Sequence, residues 1–407
     1  MGSGGSVGNK GSMRCLRCSF ESDLDQRLVT CPNCGGLLEI KLDPKVDFSF
    51  SSARGRGVWR YSPLIPGRYD KVVSLEEGNT PLIKTSTFGG NFLAKFEGAN
   101  PTGSFKDRGM SVAVSNASNL GYRAVMAAST GNTAASAAAY AARAGMRSFI
   151  ILPKGKIALG KLAQSVLYGA EVIEVEGNFD EGLEAVLNVH KTNGTVYPLN
   201  SFNPWRLEGQ KTLAFEVVES VGVPDTVVVP VGNAGNIYAI WKGFVELTQV
   251  GLTERVPRMI GVQAEGASPI ARAVLEGREI PEFTESPETI ASAIRIGKPV
   301  NWPRAMRAIR ESNGTAVVVT DEEILLAQTE MARREGLGVE PASAATLAGY
   351  VKLLKLGVVS KEELVVGVFT GHSLKDPDSM MRAGTRRFLV PPSEVLKLVE
   401  GELRVGR

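Results

Sequence analysis

Histidine is scarce in this chain of 407 residues: only His190 and His372 occur. There is no H-E-x-x-H pair and no G-x-S-x-G elbow, so zinc-protease and serine-hydrolase chemistry lack their parts. His190, at the end of a helical stretch, reads as an exposed structural residue. Cysteine is confined to Cys15-Leu-Arg-Cys18 and Cys31-Pro-Asn-Cys34, which leaves no thiol elsewhere to act as a nucleophile. A surplus of charge is missing too. With 46 basic and 43 acidic residues the net charge is +3, too small to imply nucleic acid or a membrane surface as partner. No apolar run approaches the ~20 residues of a spanning helix; the longest, at 148–153 and 225–231, have the length of buried strands. The Gly/Ser-rich opening lacks the apolar centre of a signal peptide. Residues 1–12 therefore read as a flexible extension or tag, and the expected compartment is the cytoplasm.

What the chain does have is alternation. Apolar runs at 123–129, 147–152 and 171–176 are separated by helical stretches at 105–120, 159–168 and 179–192, and by an Ala-rich stretch ending at Gly145. A second series places strands at 226–231, 259–264, 315–320 and 364–369, with helices at 206–221 and 237–248 among them. Thr320-Asp-Glu-Glu323 and Ser360-Lys-Glu-Glu363 have the capping-box pattern of a helix start. This order predicts an α/β protein with parallel-rich sheets flanked by helices. The length exceeds what one hydrophobic core fills, so two lobes with a cleft between them are expected. The boundaries read as 13–45 for a cysteine ribbon, 96–195 for a small lobe, 46–95 with 196–390 for a large lobe, and 391–407 for a C-terminal helix or tail.

Two CxxC knuckles in so short a segment match a tetrahedral zinc site, with Cys15, Cys18, Cys31 and Cys34 as ligands. Four ligands leave no open position, so such a zinc is structural. Two disulfides, or knuckles empty of metal, are the alternatives.

The most informative stretch is Asn100-Pro101-Thr102-Gly103-Ser104-Phe105-Lys106-Asp107-Arg108. Its first half turns the chain, and Ser104 is placed to cap the helix that follows. Lys106 then falls in the first turn, where the helix dipole disfavours a cation and so favours the amine that attacks an aldehyde. The plainer reading is a surface lysine paired with Asp107. Ser129-Thr130-Gly131-Asn132-Thr133 and Gly232-Asn233-Ala234-Gly235-Asn236 each follow a strand and open a helix, where backbone N–H groups hold anions. For the second loop, simple helix–strand packing is the competing account. Gly155-Lys-Ile-Ala-Leu-Gly160-Lys161 imitates a P-loop, but Leu162 stands where the Mg²⁺-holding hydroxyl belongs. Thr370 ends the last apolar strand, placed either to bond a ligand or to cap a turn. Asn200, Ser201 and Arg206 join the lobes and suit a phosphorylated substrate, or form an ordinary linker.

Together these segments resemble the threonine synthases, pyridoxal-phosphate enzymes of the tryptophan-synthase-β (fold type II) group. The likeness runs motif by motif from Met13 onward, and Thr370-Gly-His-Ser-Leu-Lys-Asp-Pro377 is its most specific part. That run departs from the usual pattern only at Ser373, where glycine is common. The resemblance implies Lys106 as the Schiff-base lysine, Asn132 facing the cofactor's phenolic oxygen, Gly232–Asn236 cradling its phosphate and Thr370 on its pyridine nitrogen. It implies O-phospho-L-homoserine as substrate, its carboxylate held by Ser129, Thr130 and Thr133. The substrate phosphate would be held by Asn200, Ser201 and Arg206, together with Lys161, and Ser104 is a further substrate-binding residue. A homodimer is implied as well. The cysteine segment resembles an N-terminal extension of some members. A dehydratase or sulfhydrylase of the same fold, or an inactive ribbon-bearing binding protein, is the rival reading.

Overall fold

The computed structural model describes residues 11–405 except 90, 156–158, 178, 193, 383, 385 and 386, with no side chain described at 159–161, 179, 180, 404 and 405. Three antiparallel strands open the fold in the order β2-β1-β3: β1 (Gly11–Cys15), β2 (Glu21–Ser22) and β3 (Leu38–Leu42). Gly11 and Ser12 pair with Leu42 and Lys41, so the ribbon starts before the expected boundary at 13. Residues 1–10 of the expected extension lie outside the described residues. An irregular strap then leads to β4 (Leu82–Lys84) and β5 (Phe92–Phe96).

The small lobe alternates helix and strand: α1 (Lys106–Asn119), β6 (Ala124–Ala128), α2 (Asn132–Ala144), β7 (Arg147–Pro153), α3 (Leu159–Leu167), β8 (Glu171–Val175), α4 (Phe179–Thr192) and β9 (Val196–Pro198). Its sheet is parallel throughout, in the order β8-β7-β6-β9. Helix α2 is dense in alanine because it is buried along nearly its whole length, and small side chains let it lie close to its neighbours. It stops at Gly145, whose φ of 70° is a left-handed cap that a side chain would strain.

The large lobe follows: α5 (Pro204–Gln210), α6 (Thr212–Val221), β10 (Thr226–Pro230), α7 (Gly235–Gln249), β11 (Arg258–Ala264), α8 (Pro269–Leu275), α9 (Trp302–Glu311), β12 (Thr315–Val319), α10 (Asp321–Glu335), α11 (Pro341–Lys355) and β13 (Val365–Phe369). Its sheet runs β12-β11-β10-β13-β5-β4, parallel except for the edge strand β4. The central strands β10 and β13 are buried at every residue, as helices on both faces require. A short α12 (Pro377–Met381) and α13 (Val395–Val405) close the chain. Among the described residues no helix is long and apolar enough to cross a membrane.

Three further expectations need correction. The helix expected at 206–221 is two helices, α5 and α6, that meet at Lys211. Helix α5 crosses α1 so closely that a β-carbon on Gly209 would stand 1.9 Å from the Arg108 carbonyl oxygen. Of the two capping boxes, Thr320 and Glu323 do cap α10 reciprocally. Glu363 instead stays short of any helix, its carboxylate taking bonds from Thr226 and Arg258. The lobe boundary at 195 also moves, since β9 belongs to the small sheet and Leu199, Phe202 and Trp205 pack into the small-lobe core. The strap is shared between lobes: Trp59 and Val73 bond to Ser111 and Ser115 on α1, while Arg60 and Tyr61 reach Glu219 on α6.

Candidate active site

Lys106 is the first residue of α1, and its loop is pinned to the end of β13. The Phe105 N–H donates to the Thr370 carbonyl at 3.0 Å and the His372 N–H to the Gly103 carbonyl at 2.9 Å. Gly103 has a φ of 84°, which fits the tight turn that the Asn-Pro-Thr-Gly run requires. Ser104 does not cap the helix. Its buried hydroxyl has no protein partner. Asp107 does not pair with Lys106 either: its carboxylate accepts from the Thr102 N–H and from the hydroxyls of Thr102 and Ser136. The Lys106 amine instead stands over the Phe105 ring, 4.2 Å from its centroid.

Four strand or helix ends converge on that amine. The cleft is lined by Lys106, Asn132, Arg206, the whole Gly232–Asn236 loop, Glu340 and Thr370. The glycine loop forms the start of α7, and Ala234 there holds a φ of 66°. A left-handed alanine is disfavoured by about 1 kcal/mol, a strain held here at the turn from the glycine loop into α7. A β-carbon on Gly232 would press to 3.0 Å from the Ala293 carbonyl oxygen. The Asn236 side-chain amide is buried with no partner. Ser129, Thr130 and Thr133 surround the start of α2, half-buried, with open space beside Gly131.

Sequence reasoning missed Glu340. It immediately precedes Pro341 at the start of α11, and its carboxylate accepts from the Asn132 amide at 3.0 and 3.2 Å. One turn on, the Ser343 hydroxyl lies 3.1 Å from that of Thr370 and takes the Gly371 N–H at 2.8 Å. The available signal was an acid followed by proline and a run of small residues, which marks a helix start facing something polar. Lys375 was missed as well: it bridges the lobes from the large side, donating to the Thr102 carbonyl at 3.1 Å and to Gln164 on α3.

The expected phosphate-binding residues divide. Arg206 lines the cleft, and its guanidinium uses Nη1 on the Leu199 carbonyl and leaves a buried Nε without a partner. Ser201 lines the cleft too. Asn200 is engaged elsewhere, both ends of its amide bonded to the backbone of Ala128. Lys161 lies on α3 with its side chain outside the described residues. His190 is half-buried rather than exposed, its ring nitrogen 3.1 Å from the Val196 carbonyl oxygen.

Electrostatics favour a reactive amine. Burial, and then the Arg206 charge, hold Lys106 down to about 7, against the opposing pull of Glu340. The first-turn position is therefore not the main cause. Burial alone brings Arg206 down to about 10. Burial pushes the Glu340 carboxyl up, against its bond from Asn132 and the charges of Lys375 and Lys106.

In the ribbon, the sulfurs of Cys15 and Cys34, and of Cys18 and Cys31, are 3.5 Å apart, and all four lie within 4.8 Å of one another. Zinc–sulfur bonds of ~2.3 Å place sulfurs ~3.8 Å apart in a tetrahedron, so the set fits that ion. The four cysteines form no disulfide.

A lysine amine held down to about 7, a glycine loop at a helix start, a guanidinium nitrogen and a side-chain amide left without partners around one cleft fit pyridoxal phosphate. The sequence profile described as "Pyridoxal-phosphate dependent enzyme" matches residues 73–371, the class that this cleft between two parallel sheets defines. A threonine synthase from Methanocaldococcus jannaschii is 50% identical over 405 residues, covering 96% of this chain and 99% of that protein. One from Mycobacterium tuberculosis is 50% identical over 315 residues, covering 76% of this chain and 85% of the relative. The crystal structure of threonine synthase from Escherichia coli has the same fold, with a TM-score of 0.70 at 19% identity over 94% of this chain and 93% of that one. The chain belongs to the threonine synthase family of pyridoxal-phosphate-dependent lyases.

A pH dependence follows for the cofactor-free protein. Only the neutral amine captures an aldehyde, so the rate of pyridoxal-phosphate uptake rises with pH around a midpoint near 7. Arg206→Met removes a charge that lowers this value and moves the midpoint upward, as stopped-flow absorbance across pH would record.

Proposed function

We propose that the chain converts O-phospho-L-homoserine and water to L-threonine and phosphate, in the cytoplasm and as a homodimer. The observation that carries the reading is the buried Lys106 amine, held down to about 7, in a cleft with a glycine-loop cradle and with Arg206, whose buried Nε has no partner. Pyridoxal phosphate, when bound, supplies the electron sink for carbanion chemistry. The backbone of Gly232–Asn236 and the Asn236 amide would hold its phosphate, the Asn132 side chain would meet its phenolic oxygen, and Thr370 would be a neutral partner for its ring nitrogen. Lys106 holds the cofactor and then moves protons at substrate Cα and Cβ. Ser129, Thr130 and Thr133 at the start of α2 hold the substrate carboxylate. Ser201, Arg206 and Lys161 hold its phosphate, Ser104 makes a further contact to the substrate, and Asn200 serves as a brace for β6 in place of the direct role the sequence implied.

Incubating the purified protein and cofactor with phosphohomoserine tests this. Equimolar phosphate and threonine are expected; 2-oxobutyrate as sole organic product would assign the site to a dehydratase. A structural zinc at Cys15, Cys18, Cys31 and Cys34 is part of the proposal. Protein prepared without chelator should carry about one zinc ion per chain, and metal analysis finding none would remove it.

A further inference from the structure

The ribbon is joined to the cleft by a continuous line of buried polar contacts. Leu38 on β3 is the register partner of Cys15 on β1. The Leu38 carbonyl accepts a bond from Arg304 on α9. That guanidinium is fully buried and makes no salt bridge among the described residues; its other arm donates to the Asn301 side-chain oxygen at 2.5 Å. Asn301, also fully buried, then contacts both loops that face ligand. Its amide donates to the Ser201 carbonyl at 2.9 Å, and its backbone N–H donates to the Asn233 carbonyl at 3.2 Å. The preceding Val300 N–H adds a bond to the Asn233 side chain at 3.3 Å. Tyr238 on α7 closes a parallel route: its ring lies 5.6 Å from the Arg304 guanidinium carbon, and its hydroxyl donates to Glu39 of the ribbon.

A buried arginine held by a carbonyl and an amide is an expensive way to fill space. Its desolvation is compensated only while both acceptors stay in place. The same residue therefore senses where β3 sits and fixes where Asn301 sits. A separate anchor of the ribbon, Arg27, reaches the Leu120 and Gly194 carbonyls of the small lobe.

We infer that Arg304 and Asn301 are positioning residues through which the metal-loaded ribbon sets the geometry of the phosphate cradle and the Ser201 loop. The inference rests on the cofactor and zinc sites proposed above. Metal at the cysteines ties the end of β1 to the 31–34 knuckle that leads into β3, β3 presents the Leu38 carbonyl, and Arg304 transmits its position to Asn301.

The test is the dissociation constant of pyridoxal phosphate, titrated by absorbance into cofactor-free protein. Arg304→Met and Cys31→Ser should each weaken binding roughly tenfold, the scale of one misplaced buried hydrogen bond. Because they interrupt one line, the double variant should be no weaker than about tenfold. Arg27→Ala should lower the melting temperature without changing the dissociation constant. Should Cys31→Ser fail to fold, removing zinc by chelator from wild type and from Arg304→Met gives the same comparison. Unchanged affinity in Arg304→Met, or effects that multiply to about a hundredfold, would overturn the relay while leaving the cofactor site intact. A wild-type protein that takes up no cofactor would overturn both.

Discussion

Lys106→Ala lowers turnover by at least about 10³-fold, because one side chain is removed from both cofactor attachment and proton transfer. The protein loses its visible absorbance with cofactor, and a small added amine restores part of the activity. Full activity without the amine would end the assignment. The same position should show a reverse effect on stability. Lys106 is held down to about 7 in the folded chain, against 10.5 ordinarily. Between those values the unfolded chain binds a proton that the folded one does not, so the stability contributed here rises with pH across that window. A methionine at 106, which has nothing to deprotonate, should raise the melting temperature of cofactor-free protein at neutral pH. Reactivity at this lysine is maintained at the expense of the fold.

Arg108→Met should have the largest effect on stability. The Arg108 guanidinium is buried and donates to Glu97 at 2.6 and 2.8 Å, to Glu216 at 2.7 Å through two nitrogens, and to Thr80 and Thr212 at 3.1 Å. Lys95 shares the Glu216 carboxylate at 2.6 Å. Removing the arginine leaves two buried carboxylates to one lysine, a loss of about 3–5 kcal/mol for a broken buried pair. Urea unfolding should show it, and activity should fall with it, since this network ties α1 to β5, α6 and the strap. Burial pushes the Glu216 carboxyl up, but Arg108 and then Lys95 outweigh it and hold the group down to about 2. A depressed carboxyl stabilises the fold above its unfolded value near 4.5 and loses that effect as pH falls toward 2. The variant should therefore lose much of this acid transition; an unchanged midpoint in urea at pH 7 would refute the account.

Much of this was legible in the sequence because strands buried on both faces are written as unbroken apolar runs, and loops that open helices carry glycine. The runs at 226–231 and 364–369 became β10 and β13 within a residue, and Lys106, Asn132, the glycine loop and Thr370 came together in one cleft. What was hidden depends on contacts distant in sequence. Glu340 meets Asn132 across 208 residues, and a lone glutamate before a proline does not announce such a partner. Asn200 looked like a ligand because an asparagine between lobes can face either way; only the fold shows its amide bonded to Ala128. The split between α5 and α6 is invisible to periodicity, since it follows from the close crossing of Gly209 over α1.

Strand order also dictates when each lobe can form during synthesis. The small sheet uses only residues 124–198 and can assemble as soon as they have left the ribosome. In the large sheet β13, at 365–369, is the strand that separates β10 from β5. Strands β4 and β5, made before the small lobe, have no place in the large sheet until nearly the whole chain is complete. During that interval β5, Phe-Leu-Ala-Lys-Phe, has only β4 beside it, and the edge that later takes β13 is open to other chains. Aggregation of the nascent protein should therefore respond to substitutions at Phe92 and Leu93 more than to equally apolar changes in the early-forming sheet.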